Sequence, residues 1–192
     1  MREIDDPAFI AEVSQGIPLD ELQRKLMPGS YSGVGFLGDH EGLLEVVQSD
    51  WEVVRGLGTT HSEISEALVR VVKGEQSPTP GFEFKTTKDL YRIRIETAGD
   101  QFCPWDDNSH GQTIGILFRT EVLEDRLSEI KRGTLDIFDM SDTIRSPNAS
   151  SLYVVVTGLL PHLIREHSFF EGKKSPYRAD PTLLIQALGL SL

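Results

Sequence analysis

The sequence contains very little cysteine, since Cys103 is the only one among 192 residues. An internal disulfide needs two cysteines, so a disulfide-stabilised secreted fold is excluded and a reducing compartment is favoured. Long apolar runs are missing too. Stretches such as Leu152 to Val156 have the length of a strand, whereas a membrane-spanning helix needs roughly 18 apolar residues. The sequence therefore predicts a protein without a membrane span.

A secretory leader and a basic surface are also missing. The N-terminal residues Met1 to Asp6 are acidic and no apolar segment follows them, which predicts a cytoplasmic protein without a signal peptide. The formal net charge is −11, and residues 1–78 carry 14 acidic and 6 basic side chains. Because an acidic surface repels phosphate backbones, we expect no nucleic-acid partner. A basic protein partner would be attracted.

Common catalytic motifs are absent, including a serine elbow, a phosphate-binding loop and H-E-x-x-H. Residues 33–38 do match the spacing G-x-G-x-x-G of dinucleotide-binding proteins. No buried strand precedes this segment and no βαβ unit follows it, although nucleotide binding requires both. Asp39 and Glu41 would also place carboxylates where a phosphate should lie. The segment is therefore interpreted as a flexible or tightly turned loop.

The first part of the chain shows helical periodicity. Apolar residues recur at helical spacing in several segments, Asp39 can cap one of these helices, and Thr60 and Glu63 form a capping box. Residues 74–81 then contain two prolines and two glycines, which interrupt any helix or central strand. These features predict an acidic helical lobe over residues 1–76 and a linker over residues 77–81.

Beyond the linker the pattern has a period of two residues, which is typical of strands. Residues 82–85 and 90–96 alternate between apolar and polar side chains, and residues 113–122 and 151–157 are further candidate strands. Residues 159–169 and 181–188 are predicted to be helices. The sequence therefore predicts an α+β fold, in which a helical N-terminal lobe is followed by an antiparallel sheet with one or two packed C-terminal helices over residues 82–192.

One group of residues has the chemistry of a metal site. Cys103 begins the turn Cys103-Pro104-Trp105-Asp106, and His162 and His167 lie on the predicted helix after the last strand. Thiolate and imidazole are preferred zinc ligands, and a His-x₄-His interval occurs among zinc-finger histidines. Asp106 stands where a second cysteine of a finger would be. The predicted zinc ligands are therefore Cys103, Asp106, His162 and His167, with His110 as a substitute on the same loop.

The helical spacing of the two histidines limits this prediction. Residues five apart on a regular helix point about 140° apart, so the end of the helix would have to loosen for both imidazoles to meet one ion. Two alternatives stay open. Cys103 and one of these histidines could form a nucleophile–base pair, or a buried cysteine and two surface histidines could have purely structural roles.

Two segments resemble known proteins. The segment Pro161 to Gly172, continuing from Ser175 to Pro181, resembles a C-terminal stretch of uncharacterised bacterial proteins with the pattern PHLIREHxFFEG…PYRxDP. The turn Cys103-Pro104-Trp105 resembles the first half of a zinc-finger knuckle. The first resemblance implies no activity, and the second implies metal binding at Cys103.

These observations lead to two functional hypotheses. The first is a non-enzymatic protein-binding or adaptor domain, with an immunity-like inhibitor as one form and with a structural zinc site. It depends on the acidic helical lobe and on the absence of a catalytic motif. The alternative is a small metal-dependent or thiol enzyme centred on Cys103, His162 and His167.

Overall fold

A computed structural model of the chain describes residues 3–72, 83–87, 90–106, 108–119 and 153–190. These residues form an α+β fold with N-terminal helices, as the sequence predicts. The helices are α1 (Pro7–Ser14), α2 (Leu19–Leu26), α3 (Leu43–Gly56), α4 (His61–Val72), α5 (Leu160–His167) and α6 (Pro181–Leu188), and the strands are β1 (Glu83–Thr87), β2 (Leu90–Phe102), β3 (His110–Arg119) and β4 (Tyr153–Thr157). Among the described helices, none is both long and apolar enough to cross a membrane.

Local capping chemistry explains where several helices begin. The Asp6 side chain accepts a hydrogen bond from the Ala8 N–H at 2.9 Å, and Pro7 occupies the first helical position. The predicted capping box of α4 is present, because the Thr60 N–H donates to the Glu63 carboxylate and the Glu63 N–H donates to the Thr60 hydroxyl. These bonds satisfy N–H groups that the helices leave without internal partners.

Helix α3 begins later than the sequence predicts. Asp39 is not its cap, because the helix starts at Leu43 after Gly42. The segment between them is held by Glu41, whose carboxylate accepts hydrogen bonds from the backbone N–H groups of Gly38 and Lys174. A contact with the distant C-terminal segment therefore replaces the expected local cap.

The four strands form one antiparallel sheet in the order β1-β2-β3-β4. A register shift lies between Glu96 and Gln101 of β2, after which Gln101 pairs with Gly111 and Phe102 with His110. The turn that contains Cys103 thus follows directly from the paired end of β2 and β3. The sequence also predicts a weaker strand at residues 134–138, which lies outside the described residues.

The described residues form two hydrophobic clusters, and both combine residues of helices α1–α4 with later parts of the chain. The first, called core 1 below, joins residues of α1–α3 to Cys103, Trp105, Leu163 and Phe169. The second joins Val54, Ile64 and Leu68 to residues of β4, α5 and α6. The predicted linker at residues 77–81 lies outside the described residues. The parts on either side of it share both clusters.

The glycine-rich segment at residues 33–38 is a tight loop that enters core 1. Phe36 and Leu37 are buried, and both of their N–H groups donate to the Leu26 carbonyl. Gly35 has a φ of 73°, and a Cβ there would lie 2.6 Å from the Pro28 nitrogen. Only glycine fits such a close backbone approach at positive φ. Packing therefore explains this glycine without a nucleotide.

A buried ion pair attaches α3 to the segment before α6. Both guanidinium nitrogens Nη1 and Nη2 of Arg178 donate to the Asp50 carboxylate, each at 2.5 Å. Nη1 of Arg178 also donates to the backbone carbonyl of Glu171. The Asp50 side chain is 2 % exposed and that of Arg178 is 10 % exposed. Charges buried this far require such bidentate pairing to offset their lost hydration.

A second buried carboxyl group lies next to this pair. Glu171 is fully buried at a φ of 65°, and its Oε2 accepts a hydrogen bond from the Ser175 hydroxyl at 2.7 Å. Among the described residues, its Oε1 has no hydrogen-bond partner. Burial raises the pKa of Glu171 to about 8, although the Ser175 hydrogen bond and the Arg178 charge oppose this. The carboxyl group is therefore held protonated near neutral pH.

Replacement of Asp50 by alanine should lower the free energy of unfolding by about 3–5 kcal/mol, because the Arg178 charge would stay buried without its partner. Equilibrium denaturation in urea measures this loss. The matched control is Glu166→Ala, which removes the exposed pair of Arg165 and Glu166 and should cost at most about 1 kcal/mol. Equal losses in the two variants would contradict the role of the buried pair.

Replacement of Glu171 by glutamine should remove part of the pH dependence of stability. The native state holds the Glu171 proton up to about pH 8, whereas the ordinary pKa of the group is 4.5. The native state thus binds more protons at this group, so the contribution of Glu171 to the free energy of unfolding falls as pH rises from 4.5 to 8. Across this range the free energy of unfolding should fall less, or rise more, for Glu171→Gln than for wild type, and the exposed control Glu52→Gln should follow the wild-type profile.

Candidate metal centre

The turn that bears Cys103 is fixed by its own backbone and by the helices around it. The Cys103 N–H donates to the Ser109 carbonyl at 2.8 Å, and the Asp106 N–H donates back to the Cys103 carbonyl at 3.1 Å. The indole N–H of Trp105 donates to the Val13 carbonyl at the end of α1, at 2.8 Å. Cys103 and Trp105 are buried in core 1. The thiol therefore faces the protein interior.

The histidines lie at opposite ends of the short helix α5, with His162 in the first turn and His167 as the last helical residue. The Ser168 N–H donates to the Ile164 carbonyl at 3.1 Å, and Ser168 has a φ of 52°. This left-handed residue ends the helix after His167, as a C-terminal cap does. The helix is regular between the histidines, so the loosening that the spacing predicted is not seen, and the side chains themselves bring the two imidazoles together.

The structure brings Cys103, His162 and His167 together. The Cys103 Sγ lies 3.3 Å from the His167 Nε2, and this nitrogen lies 3.2 Å from the His162 Nε2. All three potential ligand atoms lie within 4.8 Å of one another. Cys103 and His167 are buried, whereas His162 is partly exposed. The protein therefore encloses two of the three potential ligands.

The spacing of these atoms suits a tetrahedral zinc ion. With zinc–sulfur bonds of about 2.3 Å and zinc–nitrogen bonds of about 2.0–2.1 Å, neighbouring ligand atoms are about 3.3–3.6 Å apart. Two of the three separations, 3.3 and 3.2 Å, are close to these values, and the third lies within 4.8 Å. In addition, the His167 Nε2 can make one hydrogen bond in the ring plane, through either its N–H or its lone pair. It nevertheless lies at similar distances from two groups, the Cys103 Sγ and the His162 Nε2. One cation between the three atoms would interact with all of them at once.

Two contacts orient this group without contributing a ligand. The Trp105 ring stacks on the His167 imidazole, with 4.2 Å between ring centroids and 11° between the planes. Gly111 follows His110 in β3, and a Cβ at this position would lie 2.3 Å from the Leu159 nitrogen. The absence of a side chain thus lets the start of β3 approach the residue before α5. Neither role was predicted from the sequence, although the position of a tryptophan two residues after the cysteine is plain in it.

The other two predicted ligands lie elsewhere. Asp106 is not part of the cluster, because its carboxylate accepts hydrogen bonds from the Lys25 ammonium at 2.5 Å and the Tyr31 hydroxyl at 3.2 Å. Asp106 therefore belongs to a surface ion pair and not, as predicted, to the metal cluster. His110 is exposed on β3, where its ring lies 6.1 Å from that of Phe102. Within the described ranges, the ligand set that the structure assembles is Cys103, His162 and His167.

Comparisons of the chain with protein-family models, with curated proteins and with solved structures each find no match. The resemblance of the C-terminal stretch to uncharacterised bacterial proteins stays a prediction. Functional inference therefore depends on the residues and geometry of this chain.

Proposed function

We propose that the chain binds one zinc ion through Cys103, His162 and His167, and that this ion stabilises a non-enzymatic protein-binding module. The observation that supports the metal most strongly is the convergence of one thiol and two imidazole nitrogens at separations of 3.2 and 3.3 Å. Zinc prefers these donors over oxygen ligands in such sets.

A structural role for the ion is supported by the positions of its ligands. Cys103 lies in the turn between β2 and β3, and His167 lies 64 residues later at the end of α5. Both are buried, and Cys103 packs in core 1 with Leu163 and Phe169 of the later segment. An ion bound by both would connect the sheet to the helix. Since its ligands are assembled only in the folded chain, its binding energy would add to folding stability.

A protein-binding role is supported by the surface beside this turn. Tyr31 and Phe102 are large apolar side chains with exposures of 45 % and 53 %. Tyr31 donates to Asp106, and Phe102 directly precedes Cys103, so both border the turn. Exposed aromatic side chains are enriched at protein interfaces. We refer to Tyr31 and Phe102 as the aromatic rim.

The charge of the N-terminal helices favours a basic partner. Residues 3–72 expose three arginines, Arg24, Arg55 and Arg70, and a larger set of carboxylates: Glu3, Asp5, Glu12, Asp20, Asp39, Glu45, Glu52, Glu63 and Glu66. An acidic surface steers a basic protein toward contact and selects against acidic ones. An immunity-like inhibitor of a basic protein would have this character.

The second candidate function is a small enzyme that uses the same group. It is favoured by the 3.3 Å separation of the Cys103 Sγ and the His167 Nε2, which is within reach of a nucleophile and its base. A metal-free thiol enzyme would keep Cys103 available to react with an electrophile in the presence of zinc. Zinc bound to the thiolate would instead protect it. Alkylation of Cys103 with and without zinc therefore separates this candidate from the proposed function.

The purified wild-type chain should contain about one zinc ion per molecule, because one thiolate and two imidazoles are donors that zinc prefers. The variants Cys103→Ala and His167→Ala should lose this ion, as measured by elemental analysis of tag-free protein. At free zinc 100 times the dissociation constant, the ion should add about 2.7 kcal/mol to the free energy of unfolding.

The matched controls for zinc binding are His110→Ala and Asp106→Ala, which alter predicted ligands that lie outside the cluster. Both should retain wild-type zinc content. A wild-type chain without zinc, together with a Cys103→Ala variant of unchanged stability, would contradict the proposed metal site.

A basic protein partner should bind the wild-type chain and lose affinity as salt rises, because salt screens the acidic surface. Partners captured from a lysate of the source cells at low and high salt would be identified, purified and titrated against the chain. Tyr31→Ala with Phe102→Ala should weaken binding at least tenfold, whereas Tyr177→Phe, at a half-buried tyrosine, should not. Binding that is insensitive to salt and to the aromatic rim would contradict this role.

A further inference from the structure

Helix α1 is short and packs on the rest of the protein along one side. It has eight residues, of which Phe9, Val13 and Ser14 are buried. Phe9 and Val13 lie in core 1. Because a helix of this length is marginal by itself in water, the position of α1 depends on its contacts with other parts of the chain.

The end of α1 makes two hydrogen bonds to the segments that carry the potential zinc ligands. The Val13 carbonyl accepts the indole N–H of Trp105, in the turn between β2 and β3, at 2.8 Å. The side-chain amide of Gln15, the residue that caps α1, donates to the Glu166 carbonyl in the last turn of α5 at 2.6 Å. The end of one helix is thus bonded to both segments.

Each of these two bonds acts next to a ligand. Trp105 follows Cys103 by two residues and stacks on the His167 imidazole with 4.2 Å between ring centroids. Glu166 directly precedes His167. A binding site of this kind needs its groups held to within about 0.5 Å. The docked position of α1 therefore helps to hold the 3.3 Å separation of the Cys103 Sγ and the His167 Nε2.

We infer that docking of α1 and binding of zinc stabilise each other, with Gln15 as a positioning residue that acts through the backbone of α5. This inference rests on the proposed function, because it needs the zinc site. Coupling between two events is reciprocal, so loss of zinc loosens α1 by the factor by which undocking of α1 weakens zinc binding. The metal centre thereby controls the position of the N-terminal helix as well as stabilising the fold.

The zinc affinity of the full chain tests this coupling in one direction. Gln15→Ala removes one hydrogen bond at an exposed side chain, and it should weaken zinc binding about fivefold, the size of one such bond. The matched control is Gln23→Ala, which removes the bond from the Gln23 amide to the Glu41 carbonyl, where α2 meets the loop before α3. It should lower stability but leave zinc affinity unchanged. Competition with a coloured zinc chelator measures both affinities.

Hydrogen exchange tests the coupling in the other direction. Saturating zinc should slow the exchange of the backbone N–H groups of α1 at least fivefold in wild type, because bound zinc opposes the local opening of this helix. The slowing should be smaller in Gln15→Ala. Mass spectrometry of peptides that cover α1, after exchange of the intact protein, measures both effects.

The possible failures are distinguishable. A wild-type chain that does not bind zinc would contradict the proposed zinc site itself. Equal zinc affinities of wild type and Gln15→Ala, or bound zinc that does not slow exchange in α1, would leave the site intact and overturn the coupling. Equal weakening of zinc binding in Gln15→Ala and Gln23→Ala would also overturn it, since both changes would then act through overall stability.

Discussion

The contact between the Cys103 turn and the end of α5 is the constraint on which the rest of the arrangement depends. The turn leaves the sheet at the paired end of β2 and β3 and enters core 1, where Trp105 donates to the Val13 carbonyl of α1. The same tryptophan stacks on His167 of α5. The Trp105 side chain thus contacts both α1 and α5. It fixes the turn in which the Cys103 thiol faces the His167 imidazole.

Features of the fold that depend on local chemistry were predictable from the sequence. Asp6 with Pro7, and Thr60 with Glu63, specify helix starts through bonds that span two or three residues. Alternating side chains likewise predicted β2. The cap at Asp39 was predicted wrongly because Glu41 bonds to the backbone of Lys174, 133 residues away. A pattern within one helix cannot contain such a partner.

The difference between local and long-range contacts also explains which residues of the candidate site were predicted correctly. Residue type and spacing were enough to select Cys103, His162 and His167, because zinc chemistry restricts the useful donors. Asp106 was selected by its spacing from Cys103, yet its neighbours Lys25 and Tyr31 lie 81 and 75 residues earlier in the chain. Gly111 carried no recognisable signal, since its importance comes from the backbone of Leu159 against it. Tertiary contacts determined both outcomes.

The buried charges near the C-terminus show why the cysteine–histidine cluster favours a metal. Arg178 and Asp50 offset their burial with two bonds at 2.5 Å, and Glu171 keeps its proton because burial raises its pKa to about 8. Each group therefore has a way to avoid an unpaired buried charge. A thiol and two imidazoles can stay neutral, but a single nitrogen of His167 then interacts with two partners at once. A metal ion held by the three atoms would replace that competition with three direct bonds.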